Sequence, residues 1–319
     1  MTKVLITGAT GLAGAHLANM LAEELHGAEV YGGFKPSSRG SLMELSGKVK
    51  RLPLDVLDKE QVEQSIEGIS PDIIYHFAAF VSVARSFENP ALTFQTNAVG
   101  TINLLEATKS CCRSAKVIVP GSAEAYGRID PKDMPITELQ QLRARNPYGL
   151  SKVSQEMIAQ YYQETFGMQI YLTRSFHYTG PGQPTGFVCS DFAKQIAEIE
   201  RGMKDPVISV GNLKAKRDFL DIRDVVRAYW RIVEEGRPGV VYNVCSGSSV
   251  AIEQLLDTLI SMSHNRISVK VDPAKLRPVD VPDFVGDNSR LVRGTSWRQR
   301  IAFADSLRDV LEFWRGKVA

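Results

Sequence analysis

Two side chains four positions apart, Tyr148 and Lys152 in Asn146-Pro147-Tyr148-Gly149-Leu150-Ser151-Lys152, pose the first chemical question. Asn146 is a helix-capping residue type and Pro147 suits a first turn, which puts Tyr148 and Lys152 at i and i+4 on one helical face. A free phenol titrates near ~10, too high for ready proton exchange at neutral pH. A neighbouring ammonium favours the phenolate and is expected to lower that value, so the pair reads as a general acid/base. YxxxK alone is common and fits a surface lysine beside a half-buried tyrosine equally well. Its company gives it meaning. An apolar run ends in Gly121-Ser122-Ala123-Glu124-Ala125-Tyr126-Gly127, where Ser122 can hydrogen-bond the same substrate oxygen as Tyr148.

Near the start of the chain, Gly8-Ala9-Thr10-Gly11-Leu12-Ala13-Gly14 follows the apolar Val4-Leu5-Ile6 and opens a helical pattern. Glycines in such a loop permit a tight turn and close backbone approach to a pyrophosphate, and the helix N-terminus offers free N–H groups. Glycine turns are common, but this setting points to a dinucleotide. An acidic residue at the end of the second strand would bind the adenosine ribose of NAD. The chain instead reads Gly33-Phe34-Lys35-Pro36-Ser37-Ser38-Arg39. Lys35, Ser37 and Arg39 suit a 2′-phosphate, so NADP (as NADPH) is expected, with NAD the alternative. Asp55 can accept from an adenine amino group or simply cap a strand end.

These residues need a frame. Short apolar runs at Lys3–Thr7, Glu29–Gly33, Val49–Leu54, Asp72–Ala78, Lys116–Pro120 and Gln169–Ser175 alternate with helical patterns. In the first of those, Leu17, Met20, Leu21 and Leu25 share a face. Alternating strand and helix implies an α/β fold, a doubly wound parallel sheet. After Phe176 the pattern turns loop-rich, and Val240–Val244 reads as one more buried strand returning to the first sheet. The expected division is a Rossmann cofactor domain of residues 1–175 with 218–245. A smaller α/β substrate domain takes 176–217 with 246–319.

Composition narrows the classes. The 319 residues carry 38 Lys plus Arg against 36 Asp plus Glu, a net charge of +2 that makes no case for nucleic-acid binding. No apolar run reaches the ~18 residues of a membrane span, and no signal-peptide pattern precedes Val4. The four cysteines and five histidines show no metal-ligand spacing. A reduced, cytoplasmic enzyme without a bound metal is expected.

The glycine loop, Ser122, the Tyr148/Lys152 pair and Asn97 in Thr96-Asn97-Ala98-Val99-Gly100-Thr101 resemble the extended short-chain dehydrogenase/reductases of the nucleotide-sugar type, almost end to end. Later motifs are similar to the GDP-4-dehydro-6-deoxy-D-mannose reductases. They are Arg174 to Gln183, Gly186-Phe187-Val188, Asp191 to Gln195, Arg217-Asp218-Phe219-Leu220-Asp221, Val241 to Gly247 and Leu276-Arg277-Pro278. The resemblance implies hydride transfer from NADPH to sugar carbon 4 of a GDP-sugar, with Tyr148 as acid and Lys152 tuning it and holding the nicotinamide ribose. It implies Gly8, Thr10, Gly11, Leu12, Gly14, Val56, Ala78, Ala79 and Asn97 at the cofactor. At the substrate it implies His177, Val188, Lys194, Arg217, Arg277 and Asp280. Two guanidinium groups, Arg217 and Arg277, suit a pyrophosphate.

His177 stands where the family usually has Asn, and Ala123 where Ser or Thr is frequent. Glu124 occupies the position of the base that removes the carbon 5 proton in the related 4,6-dehydratases, so a GDP-mannose 4,6-dehydratase stays open. A 4-epimerase and a non-catalytic NADP-binding regulator also remain. Leu150, Val153, Met157 and Tyr161 share a face, and Leu92 to Ala107 is apolar nearly all round. With the resemblance, this predicts a homodimer or a dimer of dimers through helices at 91–108 and 147–166.

Overall fold

A computed structural model describes every residue except His26, Ser38, Arg39, residues 276–282 and Ala319. Seven parallel strands form the main sheet. They are β1 (Thr2–Thr7), β2 (Ala28–Phe34), β3 (Lys50–Pro53), β4 (Ile73–His76), β5 (Lys116–Ser122), β6 (Gln169–Ser175) and, after three intervening strands, β10 (Val241–Val244). The order across the sheet is β10-β6-β5-β4-β1-β2-β3. The chain therefore reverses direction of travel between β1 and β4, and the crevice at the carboxyl ends of these two strands is where such sheets bind ligands.

Alternation along β1 shows why the sheet is covered twice. Val4 and Ile6 face a core built with Leu17 and Leu21 of the helix Leu12–Glu24 and with Val225 and Tyr229 of the helix Ile222–Glu235. Leu5 faces the other core, with Ile66, Leu104, Leu105 and Ala159 from the helices Lys59–Ile69, Gly100–Cys111 and Pro147–Phe166. Period-two side chains buried on both faces are the signature of an inner parallel strand.

The remaining strands are short. β7 (His177–Thr179), β9 (Lys216–Asp221) and β11 (Ser249–Ala251) form one small sheet, and β8 (Val207–Val210) pairs with β12 (Ser268–Val271). A separate core joins Phe192 and Ile196, Leu255 and Leu259, and Leu307 and Leu311. These pairs come from the helices Val188–Glu200, Ile252–Ser261 and Phe303–Lys317. One expectation changes: 91–108 is not a single helix. It runs as Pro90–Phe94, a π-turn at Gln95–Val99, and Gly100–Cys111. The widened turn carries Asn97, whose side chain bonds to a neighbouring loop, and such bulges often mark functional sites.

Candidate active site

The glycine loop sits at the end of β1. Gly8 has φ of +67°, and a Cβ there would lie 2.6 Å from the Ala78 backbone nitrogen at the end of β4. Gly14 lies so close to the Gly8 carbonyl that no side chain fits between them. Gly11 caps the helix Leu12–Glu24 without a side-chain acceptor, which leaves the first N–H groups of that helix for a ligand. A cradle that any Cβ would fill, beneath an uncapped helix start, fits a dinucleotide pyrophosphate. Thr10 and Leu12 are partly exposed on this loop, as are Ala78 and Ala79 across from it.

Lys35 and Asp55 were expected to meet different parts of the cofactor. The structure pairs them with each other at 2.7 Å, both part-exposed. Burial works to raise the Asp55 pKa, but the Lys35 ammonium and the Leu57 N–H more than offset it and leave the carboxyl below its ordinary range. Val56 is buried and packs against Gly100. Ser37 lies exposed in the turn after β2, while Arg39 falls outside the described residues.

β5 delivers Ser122 to the same rim. The helix Pro147–Phe166 begins beside it, capped by Asn146, whose Oδ1 accepts from Gly149 N at 2.7 Å. Tyr148 and Lys152 are both buried, and Ser122, whose Oγ accepts from Glu124 N at 3.2 Å, stands near enough to the phenol to ease its pKa downward. Ser86 Oγ accepts from the Tyr148 backbone N–H at 3.2 Å and fixes the first turn. The Glu124 carboxylate accepts from Asn146 Nδ2 at 2.8 Å, so it stands at the positive end of the Tyr148 helix.

The expected lowering of the tyrosine by its lysine does not hold in this structure. Burial raises the Tyr148 pKa well above its ordinary value, Tyr178 and Glu124 add to the rise, and only the nearby Ser122 opposes it. Burial likewise brings Lys152 down to about 7. The Lys152 amine bonds to the Gln155 side chain, not to the phenol. Desolvation disfavours the charged form of each.

Asn97, expected at the cofactor, is wholly enclosed. Its amide binds both backbone groups of Phe80, at 2.7 and 3.1 Å, and the Ser151 hydroxyl at 2.8 Å. Ser151 in turn donates to the Tyr148 carbonyl. Asn97 is a brace between the loop after β4 and the Tyr148 helix, with its hydrogen-bonding capacity used there.

Among the substrate candidates, His177 lies against the rings of Phe219 and Phe284. Arg217 is half-buried on β9, its guanidinium donating to the Lys216 carbonyl at 2.8 Å. Val188 starts its helix, part-exposed. Lys194 was expected to reach substrate; its ammonium stands 3.5 Å from Glu198 and over the Trp314 ring. An i,i+4 pair and a cation–π contact hold it there. Arg277 and Asp280 lie outside the described residues.

Sequence reasoning missed several groups. Asp218, fully buried, accepts from Ser246 N and Oγ at 2.7 Å each, from Gly247 N at 3.1 Å and from Gly286 N at 3.2 Å. It ties two loops beside Arg217. Ser41 donates to the Gly182 carbonyl at 2.8 Å, which joins the basic loop to the Gly180–Gln183 turn. His76, Thr101 and Gln155 form a buried chain behind Lys152. Gln155 was the legible one, since it lies one turn beyond Lys152 on the same face.

A glycine cradle at the switch point, with Ser122 at the end of β5 and Tyr148 and Lys152 on the helix that follows, is the arrangement of an NAD(P)-dependent oxidoreductase. Comparison with known proteins places it further. Residues 5–310 match the family model of GDP-mannose 4,6 dehydratase, and the chain belongs to that family. It is 35% identical to GDP-6-deoxy-D-mannose reductase of Pseudomonas aeruginosa over 248 residues, 78% of this chain and 82% of that protein. It is 27% identical to human GDP-mannose 4,6 dehydratase, over 96% of this chain and 90% of the relative. The solved structure of RMD from Pseudomonas aeruginosa complexed with NADPH superposes with a TM-score of 0.85 at 30% identity, covering 99% of this chain and 100% of that one. Among the described residues, no helix is long and apolar enough to cross a membrane.

Proposed function

We propose that this protein is an NADPH-dependent reductase of a GDP-4-keto-6-deoxy sugar, converting GDP-4-dehydro-6-deoxy-D-mannose to GDP-D-rhamnose. The observation that carries the reading is the division of labour at the site. Ser122 and the buried Tyr148 stand together at the rim, while Glu124 is engaged by the helix cap. A ketone reduction asks for an acid and a second donor at one oxygen; an elimination asks for a free base as well. The 35% identity to a reductase and the likeness to an NADPH-bound structure point the same way.

When bound, NADPH supplies the hydride. Gly8, Gly11 and Gly14, with the open helix start, would hold its pyrophosphate. Lys35, Ser37 and Arg39 would meet the 2′-phosphate, and Asp55 the adenine. Ser122 donates to the substrate carbonyl oxygen and orients it. Tyr148 gives its proton to the alkoxide as charge develops, and the buried Lys152 ammonium stabilises the phenolate left behind. The raised phenol pKa keeps Tyr148 protonated and ready to donate at neutral pH. Arg217 and Arg277 would clamp the GDP pyrophosphate, with Asp280 at ribose hydroxyls and His177, Val188 and Lys194 around the nucleotide. We keep the domain division at 175, 218 and 245, with substrate between the two parts, although Leu291 and Trp297 pack into the first core and Phe219 into the second.

Leu150, Met157, Tyr161, Val99 and Ile102 are exposed on adjoining helices. A hollow of about 330 Å³ between Ile102, Met157, Ile158, Tyr161 and Tyr162 adds to this face. We read it as the homodimer surface, and light scattering that finds a monomer at micromolar concentration rejects it. With its four cysteines free thiols, a cytoplasmic location is the reading retained.

One observation favours a second reading. Glu124 acts on Tyr148 through space, so a base stands within the site. The test supplies each substrate in turn. With GDP-4-dehydro-6-deoxy-mannose, NADPH oxidation should match GDP-rhamnose formed mole for mole. With GDP-mannose and NADP alone, little should happen. Rapid 4-keto sugar from GDP-mannose without net cofactor change reverses the assignment to a dehydratase.

A further inference from the structure

Behind Lys152 runs a closed chain of buried hydrogen bonds whose direction the donors dictate. Lys152 Nζ donates to Gln155 Oε1. That turns the Gln155 amide nitrogen to Thr101 Oγ1, at 2.7 Å. Thr101 has one hydroxyl proton and gives it to the Asn97 carbonyl at 2.7 Å, so it accepts from His76 Nε2 at 3.0 Å. His76 is therefore the Nε2–H tautomer and accepts at Nδ1 from Thr7 Oγ1, at 2.9 Å. Thr7 in turn accepts from the Ala78 N–H at 3.1 Å, directly beneath the Gly8 turn. Thr7, His76, Thr101 and Gln155 are all almost completely buried. Each group has one role that the others leave to it, and reversing any one bond leaves a buried donor or acceptor unmatched.

We propose that Gln155 is a positioning residue: its carboxamide aims the Lys152 amine and links it, through Thr101, His76 and Thr7, to the loop that would hold the cofactor. This rests on the reading of Tyr148 and Lys152 as an acid/base pair. Among the described residues, Gln155 is the hydrogen-bond acceptor the structure gives that amine. Removing it leaves a buried ammonium with less to stabilise its charge, and Lys152 should lose its proton at lower pH. The titratable groups nearby are Tyr148 on the same helix and His76 from the end of β4. Burial drives the His76 pKa to about 3, with the Lys152 charge adding, so His76 stays neutral and contributes no competing charge. Glu124 and Tyr178 also act on the Tyr148 phenol, each disfavouring its charged form.

The experiment reads Lys152 directly, by carbon NMR of Cε-labelled lysine against pH, its signal assigned by its absence in Lys152→Met. Gln155→Glu keeps the shape and adds a carboxylate. It should raise the Lys152 midpoint by ~1 unit or more. Gln155→Leu should lower the midpoint and cut kcat about tenfold, short of the ~10²–10⁴ expected for loss of the acid itself. The fall of kcat/KM for NADPH at alkaline pH should move with the NMR midpoint in both variants. If Lys152 titrates as in the unaltered protein in both, Gln155 does not position it and the inference is overturned. Shifted midpoints in a protein that reduces no 4-keto sugar support the positioning role while rejecting the reductase reading.

Discussion

Two buried polar clusters hold the two halves of the site, and they are built differently. Behind the cofactor cradle, Thr7, His76, Thr101, Gln155 and Lys152 hang from strand ends and helices, and their partners are mostly neutral. Beside the substrate residues, a single carboxylate, Asp218, gathers backbone N–H groups from loops at Ser246, Gly247 and Gly286. The first cluster adjusts a frame that hydrophobic burial has already fixed. The second replaces a frame, because the loops it joins have few regular elements of their own. The lesson is that losses in the two halves should fall on different quantities.

The largest expected effect belongs to the cofactor half. Tyr148→Phe keeps the ring in its buried slot and removes only the hydroxyl beside Ser122. We expect kcat to fall ~10²–10⁴-fold, with sugar-nucleotide binding and thermal stability nearly unchanged. Equal losses in kcat and in unfolding free energy would mean that the hydroxyl is structural, and would erase the contrast between the two halves.

In the substrate half the expected order is the reverse. Asp218→Asn is isosteric, but its amide nitrogen must face N–H donors that the carboxylate accepted. Leaving such groups unmatched should cost ~1–3 kcal/mol in urea unfolding. Burial already raises the Asp218 pKa despite its four donors, so the site holds its charge at some strain. The KM for the GDP-sugar should rise as Arg217 and the Gly286 loop lose their tie, while the Kd for NADPH stays put. A change in NADPH affinity as large as that in sugar KM would show that the halves are not separable.

The same contrast explains what could be read from the chain. Strand-length apolar runs located all seven strands of the main sheet to within a few residues, including the return of Val241–Val244 next to β6. Hydrophobic periodicity is local, and so is helix capping at Asn146. Ser122, Tyr148 and Lys152 were legible because spacing on a strand end and a helix turn decides where they point. The π-turn at Gln95–Val99 was not. Asn97 reaches Phe80, 17 residues back, and no local pattern announces that bond. Asp218 was quoted only as the neighbour of Arg217, since its donors lie 28 to 68 residues away. The mutual pairing of Lys35 and Asp55 was hidden for the same reason: each looked like a ligand group, and only the register of β2 beside β3 brings them together.

That pair supplies the smallest and most discriminating effect. Lys35 and Asp55 are part-exposed, so their attraction is screened and worth at most ~1 kcal/mol. A 2′-phosphate carries more negative charge than Asp55 and can draw the ammonium away at little cost. Lys35→Ala should therefore weaken NADPH roughly 5- to 30-fold, the ~1–2 kcal/mol of a charged hydrogen bond at a wet site. NADH, lacking that phosphate, should be nearly unaffected. Asp55→Asn removes the acceptor proposed for the adenine amino group and should weaken both cofactors alike. NADPH binding that stays equal or tightens would mean that Asp55 serves only to hold Lys35. Fluorescence titration of the two cofactors against the two variants separates these cases, and equal losses of NADPH and NADH in Lys35→Ala would remove the 2′-phosphate from this loop.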